Sequence, residues 1–216
     1  MVRSDKPRQL IVEGTDDLFA VVGLMQSHCD WPRAKEEAPV WVEPAGGVDP
    51  ILESGFLSAY LKMREIRSLG VVLDADEHAS GRYQSIRDQC SQLFPNMPQS
   101  MPREGLIVTD EGGKRFGVWI MPDNASPGTL EVFLKYLVPA GFQSLWNHAE
   151  VAVDHARTLG ATVKEADIPK AHMHTLLAWQ DEPGQRFGVA ITKSVLDPNS
   201  PHAQPFVAWF KTLYEL

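Results

Sequence analysis

Short apolar runs of strand length alternate along the chain with stretches whose apolar residues recur at helical intervals. Residues 8–13 (RQLIVE) form an apolar run closed by Gly14, which predicts a buried strand. Residues 16–26 (DDLFAVVGLMQ) change to helical spacing, with Thr15 as the expected N-cap. A second strand is predicted over 39–44 (PVWVEP), ended by the turn-forming sequence AGG. Over 48–64, Ile51, Leu52, Phe56, Ala59, Tyr60 and Met63 keep helical intervals. Residues 68–74 (SLGVVLD) predict a third buried strand, and 82–93 a helix. The proline-rich polar segment 91–103 reads as a loop. Strand-like runs at 105–109 and 116–121 flank EGGK and predict a β-hairpin. Helical spacing returns at 129–137, 144–159, 171–180 and 203–214.

Alternation of strand and helix, with strands that are apolar throughout, predicts an α/β fold whose mostly parallel sheet is covered on both faces. No internal repeat, low-complexity segment or linker divides the 216 residues, so one domain is expected. Hydrophobic residues at 44% and charged residues at 22% place the chain among globular proteins. No apolar run approaches the roughly 20 residues of a membrane-spanning helix, so no membrane partner is expected. The start, MVRSDKPRQLIVEGTDD, turns acidic too early for a secretory leader, and a cytoplasmic location is the expectation. Cys29 and Cys90 form no CxxC pair, which argues against a zinc site or a disulfide framework. The net charge of −8 excludes binding of nucleic acid by surface electrostatics alone. If the chain acts on nucleic acid, bound metal must offset part of its acidity, or a partner must deliver the substrate.

The strongest chemical signal is a pair of acidic motifs at strand ends. LIVEGTDD places Glu13 after the first strand, and VVLDADE places Asp74 and Asp76 after a later one. In open α/β sheets, ligands bind beyond the carboxyl ends of strands, so these groups should share one cleft. Alternation along an extended chain points Asp74 and Asp76 to the same side. Converging carboxylates raise one another's pKa unless a cation is present. Mg²⁺ suits them, being a hard ion that takes oxygen ligands and keeps waters that a phosphate can replace. Either motif alone is weak evidence, because acids at strand ends also form turns and caps.

EGTDD followed about 60 residues later by DAD resembles the Toprim domain of topoisomerases, bacterial primases, small maturation ribonucleases and the OLD nucleases. That resemblance implies a Toprim-like (Rossmann-like) fold with a motif core at about 8–94 and a continuation at about 104–216. It implies that Glu13, Asp74 and Asp76 hold Mg²⁺, or Mn²⁺ in its place, and that Asp17 is the acid at the start of the next helix. GVWIMPDNASPGTLE and KAHMHTLLAWQDEPGQRFGVAI resemble the stand-alone Toprim-like family DUF3226, which extends the kinship over nearly the whole chain. The chain lacks the nucleophilic-tyrosine domain of a topoisomerase and the zinc-binding and core catalytic parts of a primase. What the resemblance leaves is Mg²⁺-dependent phosphodiester hydrolysis on DNA or RNA, or a silent or regulatory module binding metal, nucleotide or a protein partner. Hydrolysis or transfer on a small phosphate compound is a third reading.

Other residues carry paired readings. Glu131 sits in the first turn of an expected helix, stabilising its dipole, or near a second metal as in OLD nucleases. Asp123 and Glu131 flank a PG turn at Pro127 and Gly128. Lys170, just ahead of AHMHTLLAW, is a surface lysine or a catalytic cation that offsets charge on a phosphate. Glu13 is a metal ligand or the general base. His78 and Arg82 are surface residues or phosphate contacts. His172 and His174, two apart on a helix, make a poor metal pair. Trp119 and Trp179 are read as core residues. EGGK matches no phosphate-cradling loop. A homodimer would suit so small a domain.

Overall fold

In the computed structural model, which describes residues 5–32 and 34–216, strands β1 (Arg8–Val12), β2 (Trp41–Pro44), β3 (Ser68–Asp74), β4 (Leu106–Thr109) and β5 (Arg115–Met121) hydrogen-bond into one sheet. Residues 1–4, part of the stretch read against a leader, lie outside the described residues. The spatial order is β2-β1-β3-β5-β4. β1, β2, β3 and β5 run parallel, and β4 returns antiparallel at the edge as the hairpin partner of β5. The architecture is a Rossmann-like α/β sheet flanked by helices, as the alternating pattern predicts. No helix among the described residues is long and apolar enough to cross a membrane.

The pleat sorts the strand residues between two cores. Leu69, Val71 and Leu73 face the layer made by α2 (Val48–Leu52), α3 (Phe56–Leu61) and α4 (Ala79–Cys90). Val72 faces the opposite layer, where Leu10, Val12, Trp119 and Met121 meet α1 (Thr15–Gln26), α5 (Leu130–Lys135), α6 (Gln143–Thr158), α7 (Ile168–Ala178), α8 (Phe187–Thr192) and α9 (Gln204–Tyr214). Asp74, two residues after Val72, shares that second face and so lies toward α1 and α5.

Several boundaries depart from the sequence reading. The helix expected over 48–64 is two short helices, α2 and α3. Glu53 turns extended and Gly55 takes φ +89°, a left-handed conformation that glycine adopts without steric cost. Gly14, not Thr15, caps α1, and α4 starts at Ala79, three residues earlier than expected. α7 starts at Ile168, so Lys170 belongs to its first turn. The core reading holds for Trp119, which is buried. It fails for Trp179, which is 41% exposed and stacks on His148 at the end of α7. α8 was not anticipated. Its Gly188 meets α1 so closely that a Cβ there would lie 2.3 Å from the Phe19 carbonyl oxygen, and one on Gly23 would lie 2.6 Å from Gly188 Cα. That backbone contact seats α1, which carries part of the acidic cluster.

Candidate acidic site at the sheet switch point

The chain leaves β1 toward β2 on one side, and β3 lies on the other. The crevice between the carboxyl ends of β1 and β3 is therefore the topological switch point, the usual ligand position in sheets of this kind. Glu13 follows β1 and Asp74 ends β3. The two are joined directly, because the Asp74 backbone N–H donates to Glu13 Oε1 at 2.7 Å. Glu13 Oε2 makes no hydrogen bond among the described residues. Asp74 Oδ1 accepts from the N–H of Leu130 at 2.8 Å, which ties the end of β3 to the first turn of α5.

Two further acids enter from helix starts on the Asp74 face. Asp17 accepts the Gly14 N–H through Oδ2 at 3.0 Å, closing a cap on α1, and is only 8% exposed. Its Oδ1 is buried and has no hydrogen-bond partner among the described residues. Glu131, 9% exposed in the first turn of α5, accepts the Thr129 hydroxyl at 2.7 Å. Thr129, just before the helix, orients this acid; its place two residues ahead of Glu131 is a signal the sequence reading did not use.

Burial dominates the electrostatics. Asp74 is pushed up to about 9, first by desolvation and then by the charges of Asp17, Glu13, Glu131 and Asp76. Glu13 rises to about 7 through burial, which exceeds the opposing effect of its bond from Asp74, with Asp17 and Asp76 adding repulsion. Asp17 rises to about 6, again by burial first, with Glu131 and Asp16 nearby. Mutual repulsion joins Glu13, Asp17, Asp74 and Glu131 into one electrostatic unit.

Asp76 departs from expectation. The strand ends at Asp74, and Asp76 adopts φ +50°, so strand alternation no longer applies to it. Its backbone pairs with Gly128, and its carboxylate, 51% exposed, pairs with Arg82 at the mouth of the site. Arg82 therefore contacts a carboxylate. His78 is exposed beside it. Lys170 Nζ lies 3.1 Å from Asp16 and 3.9 Å from Glu131. Burial lowers the Lys170 pKa, yet the Asp16 hydrogen bond and the charges of Asp16, Glu131 and Asp17 outweigh it and hold the ammonium above the ordinary lysine value. It is a permanent cation on the rim. Asp123 stands apart as a turn former: burial raises its pKa, but bonds from Ser126 and Ala125 prevail and lower it. His172 and His174 pack edge-on to Trp146 and flat on Phe187, as structural residues do.

Among the described residues no group of three or more His, Cys, Asp or Glu side chains forms a ready-made metal cage. Mg²⁺ does not require one, since it commonly takes one or two carboxylates and completes its shell with water and phosphate. The donor set here is all carboxylate oxygen, and the partnerless buried Oδ1 of Asp17 has the character of a group awaiting a cation. The residues fit Mg²⁺.

An open, mostly parallel sheet with buried carboxylates gathered at its switch point defines a Rossmann-like α/β protein. The chain belongs to the DUF3226 family, described as a protein of unknown function, whose model matches residues 7–215. No curated protein and no solved structure matches it.

Proposed function

We propose that this chain is a Toprim-type phosphodiesterase that hydrolyses DNA or RNA with Mg²⁺, or with Mn²⁺ in its place. The observation that supports it is the 2.7 Å bond between Glu13 and the Asp74 backbone at the β1/β3 crevice, which joins two strand-end acids 61 residues apart. Asp74 and Asp76 would hold the ion, with Asp17 and Glu131 as further oxygen donors and Glu13 as ligand or base. When bound, Mg²⁺ neutralises the gathered carboxylates and polarises a phosphate group. Glu13, held by the Asp74 N–H through Oε1, would accept a proton from an attacking water through Oε2. Lys170 stays protonated and offsets charge that builds on the phosphate oxygens. The overall charge of −8 means that long nucleic acid gains little from the rest of the surface, so metal and Lys170 carry the attraction, or a partner protein delivers the substrate.

The test is incubation of the purified chain with single- and double-stranded DNA and RNA plus Mg²⁺ or Mn²⁺, beside a Glu13→Gln, Asp74→Asn double variant. Metal-dependent cleavage lost in the variant supports the reading, and cleavage that persists in it overturns the assignment. A second reading, a silent or regulatory module that binds metal, nucleotide or a protein partner, is favoured by the lack of a ready-made cage among the described residues and by the Asp76–Arg82 pair. Mg²⁺-dependent thermal stabilisation without cleavage of any polymer selects it. Turnover of small phosphate compounds alone selects the third reading.

A further inference from the structure

Beside the acidic cluster the surface folds into an open recess of about 460 Å³, within the range of about 300–1,000 Å³ typical of small-ligand sites. Three stretches line it: residues 77–80 with 83 and 84 at the start of α4, 99–101 from the loop before β4, and 124, 125 and 127 from the turn after β5. The first and last are clamped together at the mouth of the acidic site, where Asp76 N–H donates to Gly128 O at 3.0 Å and Gly128 N–H to Asp76 O at 2.8 Å.

The chemistry of the recess differs from that of the cluster. Ser80 and Ser100 offer hydroxyls, Gln99 an amide and His78 an imidazole, and none of these side chains has a hydrogen-bond partner among the described residues. The Tyr83 hydroxyl is already spent on the Pro98 carbonyl at 2.7 Å and its ring is buried in the core, so the apolar surface of the recess comes from Met101, Ala125 and Pro127. Among the described residues no Lys or Arg lines the recess, whereas the Glu77 carboxylate does. A phosphate group is therefore disfavoured inside it. An uncharged planar group with donors and acceptors on its edge meets every requirement: apolar surface for its face, amide and hydroxyls for its edge.

We infer that this recess receives a nucleobase of the substrate while the adjoining phosphodiester lies at the acidic cluster, which makes it the specificity subsite; this rests on the phosphodiesterase reading above. The test titrates the ¹⁵N-labelled full chain, without metal, with adenosine, guanosine, cytidine and uridine, and with inorganic phosphate and ribose as controls. At least one nucleoside is expected to shift the amide resonances of residues 77–80 and 99–101, which phosphate and ribose leave in place. Gln99→Trp, an exposed substitution that fills the recess, should abolish those shifts, leave the melting temperature unchanged and raise KM for cleavage about tenfold, the loss of one base contact of about 1.4 kcal/mol. Nucleosides that leave these resonances unmoved, or an unchanged KM in Gln99→Trp while metal-dependent cleavage continues, overturn the subsite and leave the phosphodiesterase reading standing. Shifts at the recess from a chain that cleaves nothing support the recess as a nucleoside site and sink the phosphodiesterase reading instead.

Discussion

Replacing Asp74 by asparagine separates what this residue does for the fold from what it does for a bound cation. Asparagine keeps an oxygen that can accept the Leu130 N–H, so the tie to α5 survives while the charge is removed. At neutral pH an unfolded-chain carboxyl with the ordinary value of 3.8 is ionised, whereas Asp74, pushed up to about 9, must take up a proton to fold. At about 1.4 kcal/mol per pH unit between 3.8 and 7, that uptake costs the folded state about 4 kcal/mol. Asparagine escapes this cost but brings an amide whose N–H groups lack assigned partners, an offset of about 1–3 kcal/mol. The net expectation is stabilisation by about 2 kcal/mol, which raises Tm by about 4–8 °C in a chain of this size. With Mg²⁺ the order reverses. The wild type gains about 2.7 kcal/mol at a hundredfold excess over Kd, and Asp74→Asn gains little. Thermal melts in EDTA and in Mg²⁺ measure both effects. A variant that melts below the wild type in EDTA, or that responds to Mg²⁺ as the wild type does, refutes the reasoning.

The metal-free protein should lose stability as pH rises. Glu13, Asp17 and Asp74 each bind a proton more tightly folded than unfolded, so their contribution is complete below about pH 4 and is lost progressively as pH climbs toward 9; saturating Mg²⁺ should flatten that slope in urea titrations. Gly188→Ala should destabilise by about 1–3 kcal/mol, because its Cβ would strike backbone that cannot move aside; a urea midpoint equal to that of the wild type refutes the α1–α8 contact. Lys170→Ala should shift stability by less than about 1 kcal/mol, as half-exposed ion pairs do. The same change should slow metal-dependent cleavage by about 10-fold or more if the ammonium meets developing phosphate charge, and unchanged rates assign Lys170 to the surface.

How much of this was legible in the sequence varied with how local the cause was. β3 matches its expected span, residues 68–74, because an uninterrupted apolar run has one way to be satisfied in a sheet covered on both faces. The meeting of Glu13 and Asp74 follows from the same logic, since both close parallel strands and ligands collect at such ends. Asp76 was misplaced because the alternation rule assumes an extended chain, and the backbone turns left-handed at that residue. The break between α2 and α3 is a local signal, the glycine at position 55, that helical spacing on either side obscured. α8 was missed for a different reason. It is six residues long and contains a glycine, so its propensity is poor, and it is held by close contact with α1 that no local pattern encodes. Glu131 was readable as an acid in a first turn, but its inclusion in the cluster depends on how α5 docks.

The acids of the cluster have no evident structural purpose that outweighs their cost. Ion pairing does not explain the burial of Asp17 and Asp74, since among the described residues Asp17 leaves an oxygen without a partner and Asp74 finds only a single N–H for its carboxylate. A chain selected for stability alone would place asparagine, glutamine or an apolar residue at these strand and helix ends. Foldable sequences agree across levels except where function intervenes, and here the strongly raised carboxyls of Glu13, Asp17 and Asp74 gather at the switch point of the sheet. On the proposed reading, the burial cost that folding must overcome at these carboxyls is also what a divalent ion would relieve on binding, so energy lost in the metal-free state would become part of the affinity for the cation. A stabilised Asp74→Asn variant that no longer responds to Mg²⁺ would show both halves of that exchange in one protein.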